Sequence, residues 1–236
     1  MKEQAKPKDA LTRILDSAET LFAKQGYNGT STRQIAAMAG ISIQTLHYHC
    51  GSKSELYNHI LERSIMPVTA MINRHIQKML KLDLGDEATL NQSINELIDE
   101  LFETLHQNPN FPLLFFRQWL EQDLALRRVE WEQLAPRLRQ WVMQVEAIVD
   151  QDRRQGIDLP LTFVSLSMLY WGLFTNQQFI SALLNMDGES QGYMERLKSH
   201  AKELTSRCLR RGTELGVVED RRQGPKAKPR PKGKAG

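Results

Sequence analysis

The sequence predicts an all-α protein: a small N-terminal head of short helices followed by a larger helical body. Three observations point there. Apolar residues recur at three-and-four spacing along most of the chain, sustained two-residue alternation is missing, and Ser-x-x-Gln and Ser-x-x-Glu starts stand before helical runs. With 236 residues the chain is long enough for one large domain or two modest ones, and its 25% charged content is ordinary for a globular protein.

The first helix opens after Asp9 and places Leu11, Ile14, Leu15, Ala18, Leu21 and Phe22 on one face; Gly26, a residue that tolerates positive φ, ends it. A second helix starts at Ser31, because Gln34 three residues on can bond back to the Ser31 amide. A third, short helix follows Ser42. The fourth opens on a second capping pair, Ser52 with Glu55, and is expected to reach about Leu80, with a bend or break at Pro67. Longer, greasier helices follow at 87–107, stopped by Asn108-Pro109, then 110–127, 129–155, 160–184 and 189–211. This divides the chain into a helix-turn-helix head at 1–56, a body at 57–216 and a tail at 217–236.

Charge patterning narrows the function classes. Residues 221–236 hold seven Lys and Arg and no acid, and the 24 bases that remain elsewhere face 28 acids. The body is therefore mildly acidic, and nucleic-acid binding needs a local constellation rather than a global charge. The Lys-, Pro- and Gly-rich tail cannot bury enough apolar surface to order itself and is expected to be disordered. It has the composition of a basic arm that lies along DNA, or of a solubilising end. The longest greasy stretch, Phe163 to Phe174, falls well short of the ~20 residues needed to cross a bilayer. The N-terminus does not read as a signal peptide, so the expected compartment is the cytoplasm, with no membrane partner. Two distant cysteines, Cys50 and Cys208, argue against a disulfide framework.

Residues 31–49 carry the chemistry. Ala36 is small where two helices approach, Gly40 allows a sharp turn, and Ile35, Ala39, Ile41 and Leu46 supply a shared core. Burying Leu46 turns Gln44 and Tyr48 outward, with Thr45 and His47 on the flanks, His49 beyond them, and Ser42 and Ile43 at the leading end. That face suits base edges in a major groove, where Gln pairs bidentately with adenine and Ile43 can touch a thymine methyl. Thr32 and Arg33, and Ser52 with Lys53, stand at helix starts, where amides, dipole and cation favour phosphate. A capped three-helix head also serves as a plain packing module.

The runs Ile14–Tyr27, Thr30–Ala36, Ala39–Ser42, Thr45–His49 and Gly51–Leu56 resemble, in order and spacing, the N-terminal domain of TetR-family transcriptional regulators, over about 50 of the 236 residues. The resemblance implies a homodimeric, all-α regulator, usually a repressor and not an enzyme. A near-palindromic double-stranded operator would be its DNA partner, and a small-molecule effector would enter the C-terminal body. The helices at 160–184 and 189–211 would form a four-helix bundle with a second copy. No cofactor is implied. Two positions depart from the family pattern: His47 stands where tyrosine is usual, and Cys50 where phenylalanine is usual. His47 is expected to donate to a phosphate, and Cys50 to loosen the junction to the fourth helix, where a thiol also offers a route to oxidation sensing.

On helices expected to surround such a cavity lie Phe102, Phe115, Phe116, Trp119, Met143, Tyr170, Trp171 and Phe174, a set suited to a lipophilic or flat aromatic ligand. The same spacing also describes ordinary core. Arg117, Asn176 and Gln177 are candidate polar anchors. His47, His49 and Cys50 scatter around a helix rather than converge, so no metal site is expected. Gly188-Glu189-Ser190-Gln191-Gly192 matches a hydrolase nucleophile elbow in letters, but its context is helical, so it reads as an inter-helix loop. A helical dimeric adaptor without operator reading is the alternative to a DNA-binding regulator.

Overall fold

The computed structural model describes residues 9–84, 86–120, 132, 134–148 and 158–209, with the backbone alone at Trp119 and Ile148. Helix α1 (Ala10–Gly29) begins where the Asp9 carboxylate accepts from the Thr12 amide at 2.7 Å. Gly26, at φ 74° and ψ 177°, departs from helical geometry inside it, so the regular helix stops at the expected residue and one further turn delivers the chain to Thr30. Helix α2 (Thr32–Ala39) carries the complete capping box of Ser31 and Gln34. Gly40 then adopts the left-handed conformation (φ 65°, ψ 43°), which a residue with a Cβ adopts only at a cost. Helix α3 (Ile43–Cys50) is capped by Ser42, and α4 (Lys53–Met79) by the box of Ser52 and Glu55. α4 runs without a break through Pro67 to Met79, close to the expected end at Leu80. The ring removes one donor, but packing on both sides of α4 holds the helix.

The body comprises α5 (Glu87–Gln107), α6 (Asn110–Leu120), α7 (Ala135–Ile148), α8 (Leu159–Thr175), α9 (Gln177–Leu184) and α10 (Gln191–Leu209). The single helix expected at 160–184 is two. At Asn176 (φ −115°, ψ 29°) the chain leaves helical geometry, and the Thr175 hydroxyl and the Asn176 amide both donate to the Gly172 carbonyl. The Asn176 amide bond closes the last regular turn of α8, while the Thr175 hydroxyl adds a competing claim on the same carbonyl, a local signal that an unbroken apolar pattern conceals. The expected extensions of α6 past Leu120 and of α7 on both sides, and the basic tail, lie outside the described residues.

Three apolar clusters build the interior. The head closes around Ile14, Ala18, Phe22, Ile35, Leu46, Leu56 and Tyr57, with Leu114 of α6 joining from the body. A second cluster joins α5, α8 and α10 through Ile94, Ile98, Phe102, Tyr170, Tyr193 and Leu197. A third brings Ile65 and Val68 of α4 against Phe111, Phe115 and Trp171. α4 thus belongs to both halves. Polar pairs fix its orientation: Arg63 meets Asp16 of α1 at 2.5 Å, and Asn73 accepts from the Trp141 indole of α7 at 2.5 Å.

Candidate nucleic-acid interface and body cavity

The reading face of the head follows from the burial of one residue. Leu46 is 0% exposed, which fixes the rotation of α3 and turns Gln44, His47, Tyr48 and His49 to solvent, Tyr48 at 86%. Ile43 is exposed at the leading end, and the Tyr48 and His49 rings meet edge to face at 5.2 Å. Ser42 and Thr45 are partly committed: the Ser42 hydroxyl accepts from the Thr45 amide at 3.0 Å and pairs with its hydroxyl at 2.8 Å. They stiffen the start of α3 while remaining at its tip.

Around this face stand the helix starts. Ser31 and Gln34 satisfy one another's amides, and the neighbouring Thr32 and Arg33 amides point outward at the positive end of α2. Arg33 is exposed and makes no ion pair among the described residues. At α4 the Glu55 carboxylate accepts from the Ser52 amide at 2.7 Å, and this contact lowers its pKa. The Lys53 ammonium sits 4.0 Å from the centre of the Tyr27 ring, bracing the start of α4 on α1. A Cβ at Gly51, whose φ is 65°, would stand 2.4 Å from Glu55 Oε2 and push that carboxylate off the Ser52 amide.

The two departures from the family pattern each have a defined local setting. His47 Nδ1 lies 2.9 Å from the Gly51 carbonyl, an acceptor, so Nδ1 carries the proton. A neutral ring then presents Nε2 as an acceptor, suited to a base amine more than to the phosphate contact expected from sequence. Cys50 is half-buried against the head core, and burial pushes its thiol pKa up, which disfavours the reactive thiolate.

In the body, α4, α5, α7 and α8 surround a cavity of about 180 Å³. Of the aromatic candidates, Tyr170 and Trp171 line it. The other aromatic candidates sit elsewhere. Phe102 and Phe174 pack edge to face at 5.2 Å, Phe115 meets Trp171 at 4.5 Å, Phe116 is half-buried beside that cluster, and Met143 is on the exposed face of α7. The side chain of Trp119 lies outside the described residues. Periodicity places a residue on an inner face, but whether that face is filled depends on the partner helices. The wall instead includes Ile65, Ile98, Leu138 and Trp141, with His75 and Ser93 among them, which sequence reasoning passed over because an aliphatic row with one His looks like core. Arg117 is not an anchor for a ligand. Its guanidinium donates to the Ala23 and Lys24 carbonyls of α1, both at 2.7 Å, and Asn110 on the same helix donates to Glu19 at 3.1 Å. Asn176 is the exposed corner between α8 and α9, and Gln177 lends its carbonyl to Tyr193. Ser190, the centre of the elbow-like letters, caps α10 by accepting from the Tyr193 amide.

A capped, rigid helix-turn-helix whose second helix bares a polar face, joined through α4 to a hollow helical body, defines a DNA-binding regulator. The comparisons agree. Residues 14–60 match the model of the bacterial regulatory proteins, tetR family. The chain is 25% identical to the HTH-type transcriptional repressor NicS of Pseudomonas putida over 74% of its length and 80% of the relative's. It is 24% identical to the HTH-type transcriptional repressor SCO4008 of Streptomyces coelicolor, over 85% and 97%. In fold it resembles the TetR-family regulator PfmR of Thermus thermophilus, with a TM-score of 0.59 at 19% identity, covering 87% of this chain and 98% of that one. The head thus carries the tetR-family sequence pattern over residues 14–60, and the chain is similar over most of its length to two repressors described as HTH-type. No described helix is long and apolar enough to cross a membrane.

Proposed function

We propose that the protein is a cytoplasmic, homodimeric repressor released from its operator by a small molecule held in the body cavity. In this reading the head (1–56) reads DNA and the body (57–216) pairs the two copies and takes the effector. Gln44, Tyr48, His47, His49 and Ile43 meet base edges, with Ser42 and Thr45 at the tip of the helix. Thr32, Arg33, Ser52 and Lys53 meet phosphates and set the register. Repression is supported by the descriptions of the two relatives as repressors. Pairing is supported by apolar side chains left bare on the last helices: Phe179 at 69% and Leu183 at 71% exposure, one turn apart on α9, with Leu161 and Val164 on α8. Two recognition helices related by a dyad enter successive major grooves, so the operator is near-palindromic with half-sites roughly 34 Å apart, or a somewhat larger spacing.

The observation that carries ligand release is that one helix touches both sites. On α6, Phe111 and Phe115 pack against Trp171 of the cavity wall, while Arg117 holds the end of α1. A guest that moves Trp171 moves α6, and α6 cannot shift without pulling on the head. The guest releases DNA only to the extent that it binds the shifted conformer more tightly.

The test begins with selection of bound duplexes from a random pool and continues with fluorescence anisotropy on the selected site. Gln44→Ala/Tyr48→Ala is expected to lower affinity for that site by about 100-fold or more, the loss of two base contacts at ~1–3 kcal/mol each, with an unchanged helical spectrum. Intact recognition by this variant, or a monomer in sedimentation, overturns the reading.

A further inference from the structure

The wall of the cavity carries a chemical specification. Among the described residues no Lys, Arg, Asp or Glu lines it. Its hydroxyls are mostly committed: Thr69 donates to the Met66 carbonyl, Ser167 to Phe163, and Thr205 and Tyr170 to Ala201, at 2.8–3.2 Å. Thr162 is only half-buried, in the first turn of α8. The charges nearest the α4–α5 side are paired with one another, Arg74 with Glu100 at 2.6 Å and Lys78 with Glu96.

His75 of α4 and Ser93 of α5 are different. They are 4% and 2% exposed, and His75 Nε2 stands 3.2 Å from Ser93 Oγ. Burial pushes the His75 pKa down, favouring the neutral ring. A neutral imidazole brings one N–H and a serine one O–H, and their mutual bond uses one of the two whichever way it runs. With the ring N–H spent on Ser93, whose carbonyl and hydroxyl both lie against the ring, the donor proton that remains on the pair is that of the Ser93 hydroxyl. The Ser93 backbone carbonyl also accepts from the His75 ring, and no further side-chain hydrogen bond of either residue is found among the described residues.

We propose that the cavity selects an uncharged, largely hydrocarbon guest that carries one hydrogen-bond acceptor, such as a carbonyl, which the His75–Ser93 pair engages. The proposal rests on the reading of this cavity as the effector site and names the class of effector. Its size follows from the volume: an apolar cavity of ~150 Å³ holds one benzene ring, so about 180 Å³ fits one or two rings or a chain of comparable bulk. Carboxylates and amines are disfavoured, because an ion entering this wall would lose its hydration and find no counter-charge among the described residues.

Three probes of one shape separate the possibilities: 2-ethylnaphthalene, 2-acetylnaphthalene and 2-naphthoate, each measured by equilibrium dialysis against the full chain near neutral pH. The ketone is expected to bind about three- to tenfold more tightly than the hydrocarbon, the worth of one net hydrogen bond. The carboxylate is expected to bind at least about 100-fold more weakly than the ketone. In His75→Leu/Ser93→Ala the preference for ketone over hydrocarbon disappears while the hydrocarbon still binds. A readout needing no variant is the carbonyl stretch of bound 2-acetylnaphthalene, expected below its value in hexane. The proposal is overturned by naphthoate binding within tenfold of the ketone, by an unshifted carbonyl, or by a ketone preference that survives the double substitution. Should the order hold while no bound probe lowers operator affinity, the ligand class stands and the release reading falls. If none of the three binds, both fall.

Discussion

In the head, Ile14, Phe22, Ile35, Leu46 and Tyr57 from four helices close on one another until each is 0% exposed. In the body the same aliphatic and aromatic residue types stand back from one another and leave about 180 Å³ between α4, α5, α7 and α8. The difference lies in how the elements are fixed. Short head helices are set by local devices, two capping boxes and the left-handed Gly40, so their spacing leaves the core little freedom. The body helices are longer, meet through side chains alone, and can hold a gap as long as its walls remain apolar. A solid head keeps a reading face rigid; a hollow body can change shape around a guest.

The most damaging way to break this comparison is to hollow the head. Leu46→Ala removes the side chain that fixes the rotation of α3 and is expected to cost about 2–5 kcal/mol in urea unfolding. Operator binding should fall with it, because Gln44 and Tyr48 lose their bearing. A loss under about 1 kcal/mol would mean the head relaxes around the gap and is not the rigid half. The reverse experiment is to add volume to each half. Ala36→Leu, at the close approach of α2, is expected to destabilise by about 1–3 kcal/mol through overpacking. Ile94→Phe, on the cavity wall, is expected to leave stability unchanged or raise it while abolishing probe binding. Equal penalties at the two sites would erase the distinction between solid and hollow.

The same contrast explains what the sequence disclosed. In the head, caps, turn glycine and the three-residue alignment of Ser31 with Gln34 are local signals, and each element appears where its letters place it. Gln44 and Tyr48 face outward because a single buried Leu46 decides the rotation, which a helical wheel can show. In the body α5 was legible to the residue and α10 over its described span, yet the corner at Asn176 was hidden by an unbroken apolar run. The cavity was harder still. Phe102 and Trp171 have the same hydrophobic periodicity, but one is wedged against Phe174 and the other faces open space. That outcome is decided by distances between helices far apart in sequence, which no local pattern encodes. Arg117 shows the same limit: its partners are backbone carbonyls some ninety positions away.

The smallest effect expected is a pH dependence confined to the body. Burial lowers the His75 pKa in the folded protein, with the Ser93 backbone carbonyl, Glu100 and Glu96 pulling the other way and Lys78 adding to the decrease. As pH falls through the ordinary histidine range, about 6.5, the unfolded chain takes up a proton that the folded chain refuses. Stability from this group is therefore complete above that range and declines as pH drops towards the lowered folded value. Urea unfolding at about pH 7.5 and 5.5 should show a larger decrease for the unaltered chain than for His75→Gln, which cannot take up the proton. Carboxylates with lowered pKa, such as Glu55 and Glu96, lose their contribution only at more acid pH, so this window isolates the histidine. An identical decrease in both chains would mean that His75 reaches water when the body opens, and the cavity would then be wet rather than a dry apolar site awaiting a neutral guest.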